Sequence, residues 1–197
     1  VPSYLMSLRI KSLHNAMDCG QSFGCIPKDY FSHYFLDSFL DLSLQHQEQV
    51  SPPRTRTLIA YFAQQFETHV VPKQYALRTG YIHNDANDWN VLTHRGKVSG
   101  LIDFGDACHS WLAADLAVGM TYALMGKEDP MQAAASILKG YSRCYTLEAL
   151  EADLLYLLIA GRLCMSLCQS AHARKLRPDS EYVSISEAPA QELLEKW

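Results

Sequence analysis

The chain has no CxxC pair. Its six cysteines stand at 19, 25, 108, 144, 164 and 168, a spacing that argues against a zinc ribbon or a dithiol redox motif. Cys164 and Cys168, one helical turn apart in an apolar stretch, read instead as buried free thiols. The opening residues VPSYLMSLRIKSLH hold no apolar run ending in a small-residue cleavage site. Both features predict a reduced, cytoplasmic setting. No run of Lys or Arg occurs and the net charge is -4, so neither nucleic acid nor a membrane surface is an expected partner. The longest apolar stretch, LLYLLIAG, is too short to span a bilayer and sits inside a helical pattern. A phosphate-binding glycine loop is missing too. GQSFG at 20–24 lacks the GxGxxG spacing, and the Gly-Lys pairs at 96–97 and 126–127 are not followed by Ser or Thr.

What is present is an ordinary globular composition. The 197 residues, 48% hydrophobic and 19% charged, suffice for a single packed core over 1–197. Leu5, Leu8, Leu13 and Met17 predict a helix over 3–17, followed by a Gly- and Pro-broken stretch. The aromatic segment KDYFSHYFLDSFLDLSLQHQ places Tyr30, Tyr34 and Leu40 in helical register, and its aromatics read as core. After the Pro52–Pro53 break, Leu58, Phe62, Phe66 and Val70 predict a helix over 55–70. WLAADLAVGMTYALMG reads as a buried helix stopped at Gly126, and DPMQAAASILKGYSRC as a helix with Asp129 as N-cap and Pro130 in its first turn. A helix of about 28 residues is expected from Thr146, and a short one at the end. Arg143, Arg162 and Arg174, spread along these helices, read as solvated or ion-paired positions. The fold class is α+β and predominantly helical, with one small β unit.

That unit lies in YIHNDANDWNVLTHRGKVSGLIDFGDA, residues 81–107. Val91–Thr93 and Val98–Ile102 are β-branched runs around the turn signal HRGK. A turn centred on Gly96 and Lys97 would bring Asn90 opposite Asp103, with Asp85 on the entering loop. Two carboxylates and an amide oxygen in one volume repel unless a cation joins them. Hard oxygen donors in small number suit magnesium carried on nucleotide phosphates. The spacing then assigns roles. Asp85 would accept the proton of an attacking hydroxyl, Asn90 and Asp103 would hold the metal, and His83 would brace the loop. Asp88 and Asp106 are candidates for acceptor or second-metal contact, with the alternatives of a solvated turn for Asp88, as for Asn87, and a helix cap for Asp106. His109 and Trp111 read as packing or loop residues.

HNDANDWNVL followed by GLIDFGD resembles the aminoglycoside phosphotransferase-like small-molecule kinases, which include choline, homoserine and hydroxylysine kinases. The resemblance is strongest to hydroxylysine kinase and to the kinase-like domain fused to class III aminotransferases. DLAVGMTYAL and the early SLHNAM extend it over most of the chain. It implies a protein-kinase-like fold, ATP and magnesium as cofactors, Asp85 as base, Asn90 and Asp103 as metal ligands, and Asp115 as a structural acid. Family members also carry an N-terminal β-lobe with a phosphate-covering loop and a lysine strand. No segment before Tyr4 is long enough for it. The chain therefore reads as the C-terminal lobe alone, partnered in a longer protein by that lobe or by a fused enzyme domain. Three functions follow as expectations: transfer of a nucleotide γ-phosphate to the hydroxyl of a small, amine-bearing metabolite; a non-catalytic regulatory or partner domain; and a two-metal phosphohydrolase using His83, Asp85, Asp103 and His109.

Overall fold

The structure is a computed structural model that describes residues 38–177 and 186–197. The helix expected over 3–17, the glycine-containing break after it and the aromatics of 30–37 lie outside the described residues. In chain order the elements are α1 (Phe39–His46), α2 (Pro53–His69), β1 (Thr79–Ile82), β2 (Val91–His94), β3 (Lys97–Leu101), β4 (Cys108–Trp111), α3 (Leu112–Leu124), α4 (Pro130–Tyr141), α5 (Ala149–Leu176) and α6 (Glu187–Lys196).

The core is organised around α5. Its middle, from Leu154 to Cys168, is apolar on nearly every side, the pattern of a helix surrounded by others. α1, α2, α3 and α6 all pack on it. It is long and apolar enough to cross a bilayer, but 83% of its most apolar window is buried inside the protein. Its start is fixed by a reciprocal cap, in which Glu148 accepts from the backbone of the first turn and Glu151 accepts from the Glu148 amide. Phe39 of α1 meets Phe66 of α2 edge-on at 5.2 Å within the same core.

Local chemistry explains the other helix ends. Pro53 occupies the first position of α2, where its missing N–H costs nothing. The Asp129 side chain accepts from the Gln132 amide at 2.8 Å, capping α4 as expected, and Gly126 takes φ +69° just beyond α3.

The β structure differs from expectation in two ways. Among the described residues there are two two-stranded sheets, not one: β2 pairs with β3, and β1 pairs antiparallel with β4. The register of the β2–β3 hairpin is also shifted, by one residue at its open end and by two beside the turn. Val91 faces Leu101 and His94 faces Lys97, with an irregularity between Leu92 and Thr93. The turn centres on Arg95 and Gly96, both at positive φ (49° and 73°), the conformation that matches the right-handed twist of a tight hairpin. Asn90 consequently lies opposite Ile102, whose amide donates to the Asn90 carbonyl at 2.9 Å. Asp103 is the next residue along.

The β1–β4 pair acts as a collar. It brings the start of the 83–90 loop and the end of the 102–107 segment together at the foot of α3, with Ile82 opposite Cys108. β1 lies so close to α3 that a Cβ at Gly80 would sit 2.7 Å from a Leu112 methyl. Arg78, just before β1, ties the collar to the start of α5 by donating to both Glu151 oxygens and to the Thr146 carbonyl.

Candidate active site

The 83–90 loop is pinned from below by Asp115 in the first turn of α3. Asp115 is fully buried, and its Oδ1 accepts from the His83 amide at 3.1 Å and the Asn84 amide at 3.0 Å. Asn84 itself stands at φ +63°, a left-handed conformation that asparagine tolerates better than most residues. The carboxylate supplies two strong acceptor contacts that hold this bend in place.

His83, read from the motif as the brace of the loop, lies beneath it. Its side chain is fully buried and both ring nitrogens meet the backbone. Nδ1 accepts from the Asp85 amide at 3.3 Å, and Nε2 donates to the Ile102 carbonyl at 3.0 Å. These contacts orient the ring, with Nδ1 as acceptor and Nε2 as donor. The ring also packs edge-on against Phe104. It fastens the 83–90 loop to the segment leading into Asp103 and is not presented to a substrate.

Asp85 is held on both oxygens. Oδ2 accepts from Asn87 Nδ2 and from Asn90 Nδ2, each at 2.9 Å. Oδ1 faces Arg162 Nη2 at 3.4 Å. Burial pushes its carboxyl above the usual carboxylate range and Asp106 adds to the rise, while Arg162, Asn87 and His83 pull the other way. Asn87, expected as a solvated turn residue, is the hub of the loop. Besides its bond to Asp85, its Oδ1 accepts from the Trp89 and Asn90 amides at 2.8 and 3.1 Å. Asp88 is exposed, as a solvated turn residue would be.

Asn90 is buried at the head of β2 and directs Nδ2 to the Asp85 carbonyl and carboxylate, both at 2.9 Å. That leaves its amide oxygen as the group available to a cation. Asp103 is exposed and stands at φ +60°, with Oδ1 accepting only a long 3.3 Å contact from the Gly105 amide. A non-glycine residue held at positive φ is an unfavourable backbone state that the surrounding fold must impose. One amide oxygen and one exposed carboxylate, one residue past the hairpin pairing, form a donor set that suits magnesium completed by phosphate and water. Among the described residues no three His, Cys, Asp or Glu side chains gather into a metal cluster. Of the histidines a two-metal hydrolase would use, His83 has both ring nitrogens on the backbone and His109 is exposed, edge-on against Tyr81.

Asp106 is half-buried, electrostatically close to both Asp85 and Arg162. It does not cap a helix: β4 intervenes before α3 begins at Leu112. Trp111 is buried in the core, as its packing reading requires. Of the three helix arginines, Arg174 pairs with Glu187 at 2.7 Å and Arg143 is exposed. Arg162 takes the ion-paired alternative and is buried, only 6% exposed and turned onto Asp85. The sequence did hold a signal for it. A lone charge inside LLYLLIAGRLCMSLC must find a partner within the fold.

Beside the loop opens a cleft of about 350 Å³, lined by Asp88, Trp89, Tyr122, Met125, Ser186 and Pro189 among others. On the hairpin, Leu92 and Ile102 lie on one face, each 44% exposed. The cleft thus adjoins the loop in which Asn87 and Asn90 hold the Asp85 carboxylate.

Known proteins bear on this arrangement. Residues 11–152 match the model of the phosphotransferase enzyme family. Hydroxylysine kinase of Mus musculus is 29% identical over 147 residues, 70% of this chain and 39% of that protein. Homoserine kinase of Rhodopseudomonas palustris (strain BisA53) is 39% identical over 95 residues, covering 47% of this chain and 28% of that one. The chain thus spans well under half the length of these relatives. Among solved structures, amicoumacin kinase hAmiN in complex with AMP-PNP, Ca2+ and Ami superimposes with a TM-score of 0.62 at 18% identity, over 98% of this chain and 58% of that one. The gentamicin complex of APH(2")-IIa gives 0.51 at 17% identity, over 97% and 61%. These two share the fold. With more than half of its length matched, this chain belongs to the phosphotransferase enzyme family.

Proposed function

We propose that this chain supplies the acceptor-side machinery of a kinase that moves the γ-phosphate of ATP to a hydroxyl of a small, amine-bearing metabolite. The observation that carries the reading is the grip on Asp85, a half-buried carboxylate fixed on both oxygens beside an open cleft and bonded to the amide of Asn90. In the reaction the acceptor oxygen attacks the γ-phosphorus and its proton passes to Asp85. The bond from that phosphorus to the bridging oxygen breaks, and ADP leaves with the electron pair. Asn90 and Asp103 would hold a magnesium ion, which would offset charge on the nucleotide phosphates. Leu92 and Ile102 offer the nucleotide base an apolar surface next to those donors. An amine on the acceptor suits a cleft containing Asp88 and the faces of Trp89 and Tyr122. Relatives named hydroxylysine kinase and homoserine kinase support an acceptor of amino-acid size.

The test is single-turnover transfer from γ-labelled ATP to a panel of small hydroxylated amines, run with the full-length protein and magnesium. Label on the acceptor oxygen is the expected result. Release of inorganic phosphate at the same rate with or without acceptor would overturn the reading.

A pH prediction follows from the same side chain. Asp85 must be ionised to take a proton, and burial raises its pKa in the unliganded protein. The acid limb of kcat/KM reports the free enzyme. Activity should therefore fall, as pH is lowered, at a higher pH than an ordinary carboxylate would give. A limb at or below the usual aspartate range would contradict the buried position of Asp85.

A further inference from the structure

We propose that Arg162 and Tyr122 form a positioning pair that sets Asp85 against the acceptor in the adjoining cleft; this rests on the reading of Asp85 as the proton acceptor. Arg162 projects from the most buried part of α5. A guanidinium in such surroundings is costly unless paired. Its Nη2 donates to the Tyr122 hydroxyl at 2.9 Å and faces Asp85 Oδ1 at 3.4 Å. The guanidinium carbon lies 5.5 Å from the centre of the Tyr122 ring.

The two grips on Asp85 are different in kind. Asn87 and Asn90 reach Oδ2 from within two and five residues, so they move with the loop. Arg162 reaches Oδ1 from 77 residues away, on the helix at the centre of the core. It refers the carboxylate to the rigid body of the protein. Tyr122 adds the link to the acceptor. It lies near the end of α3, its hydroxyl holds Arg162, and it lines the cleft with Asp88 and Trp89. A molecule seated in the cleft presses on the residue that holds the guanidinium that holds the base. The pair does not touch the reacting atoms; it acts through Asp85.

The experiment measures steady-state transfer by the full-length protein to the acceptor found in the panel, per folded molecule, for Arg162→Lys, Arg162→Gln and Tyr122→Phe. Asp85→Asn and the Asp85→Asn/Arg162→Gln double variant are measured beside them. Arg162→Gln should lower kcat about 100-fold, the scale of an angstrom-level misplacement, with the nucleotide KM within about twofold. Arg162→Lys should recover about tenfold of that loss, because the ammonium keeps the charge but its flexible stem fixes it less well at the place where Nη2 meets both partners. Tyr122→Phe keeps the ring in the cleft and should lower kcat about tenfold through the loosened guanidinium. The double variant should be no slower than Asp85→Asn alone, since both changes act on one group.

An Arg162 that only supports the fold would lower thermal stability and leave kcat per folded molecule unchanged. Values for Arg162→Lys and Tyr122→Phe within about twofold of the parent, or an additive loss in the double variant, would overturn the proposal. If Arg162→Gln does not fold, the Lys and Phe variants decide by the same criteria. A parent protein that transfers no phosphate removes this inference together with the functional reading. Transfer that survives at Arg162 and Tyr122 but not at Asp85 removes this inference alone.

Discussion

Asp85→Asn is expected to lower kcat by about a thousandfold, the scale of a positioned general base. The change is nearly isosteric and leaves the cleft and the Asn90–Asp103 donors in place. Nucleotide and acceptor binding, followed by calorimetry, should therefore stay within about threefold, since only a contact made in the transition state is lost. The surroundings of Asp85 predict a second consequence. Asn87 Nδ2, Asn90 Nδ2 and Arg162 Nη2 are all donors aimed at its two oxygens. An amide at position 85 turns its own NH2 toward one of them whichever way it is flipped. The mismatch should cost about 1–3 kcal/mol of stability, read as a lower urea midpoint at unchanged slope. A kcat within tenfold of the parent would deny Asp85 the role of base.

Asp115→Ala is the other large effect, and it acts on the fold beneath the site. The Asp115 carboxylate is fully buried and accepts from two consecutive backbone amides at the bend before Asp85. Removing it strands both amides in the interior and leaves a small void. Each orphaned donor costs about 1–3 kcal/mol, so a loss of about 4 kcal/mol is expected in urea unfolding. Asp115→Asn keeps an oxygen in the same place and should cost about half as much, since a charged acceptor bonds roughly twice as strongly as a neutral one. The left-handed bend at Asn84 depends on these bonds. Activity should therefore fall even in the fraction that remains folded. A destabilisation of Asp115→Ala below about 1 kcal/mol would mean that other contacts fix the loop.

Much of this was legible in the chain. The helices over 53–69, 112–124, 130–141, 149–176 and 187–196 follow from apolar spacing and from punctuation by Pro53, Gly126, Asp129 and Pro130. The amide at 90 and the acid at 103 stood out because two short β-branched runs and a turn separate them, and the acid at 85 because it lies on the entering loop five residues before that amide. Less legible was anything set by distant partners. The register of the hairpin depends on which residues take positive φ. Arg95–Gly96 won over Gly96–Lys97, and the irregularity at Leu92–Thr93 was invisible to pairing arithmetic. The β1–β4 collar is not legible because TGYI and CHSW are short and lack a clear alternation, and they meet only through the fold. Arg162 is the sharpest case. Its partners are 40 and 77 residues away, and helical periodicity says that a residue is buried without saying what it faces. The role of Asn87 is hidden in the sequence for a related reason. A turn asparagine usually serves its own backbone, and only coordinates reveal that this one also holds Asp85.

The most direct test of the account is the anomalous signal of manganese in crystals of the full-length protein grown with a non-hydrolysable ATP analogue. The account predicts a peak within about 2.0–2.3 Å of the Asn90 amide oxygen and an Asp103 carboxylate oxygen, the reach of a small divalent ion in oxygen coordination. Manganese bound elsewhere, with Asn90 and Asp103 making no contact to metal or phosphate, would contradict it.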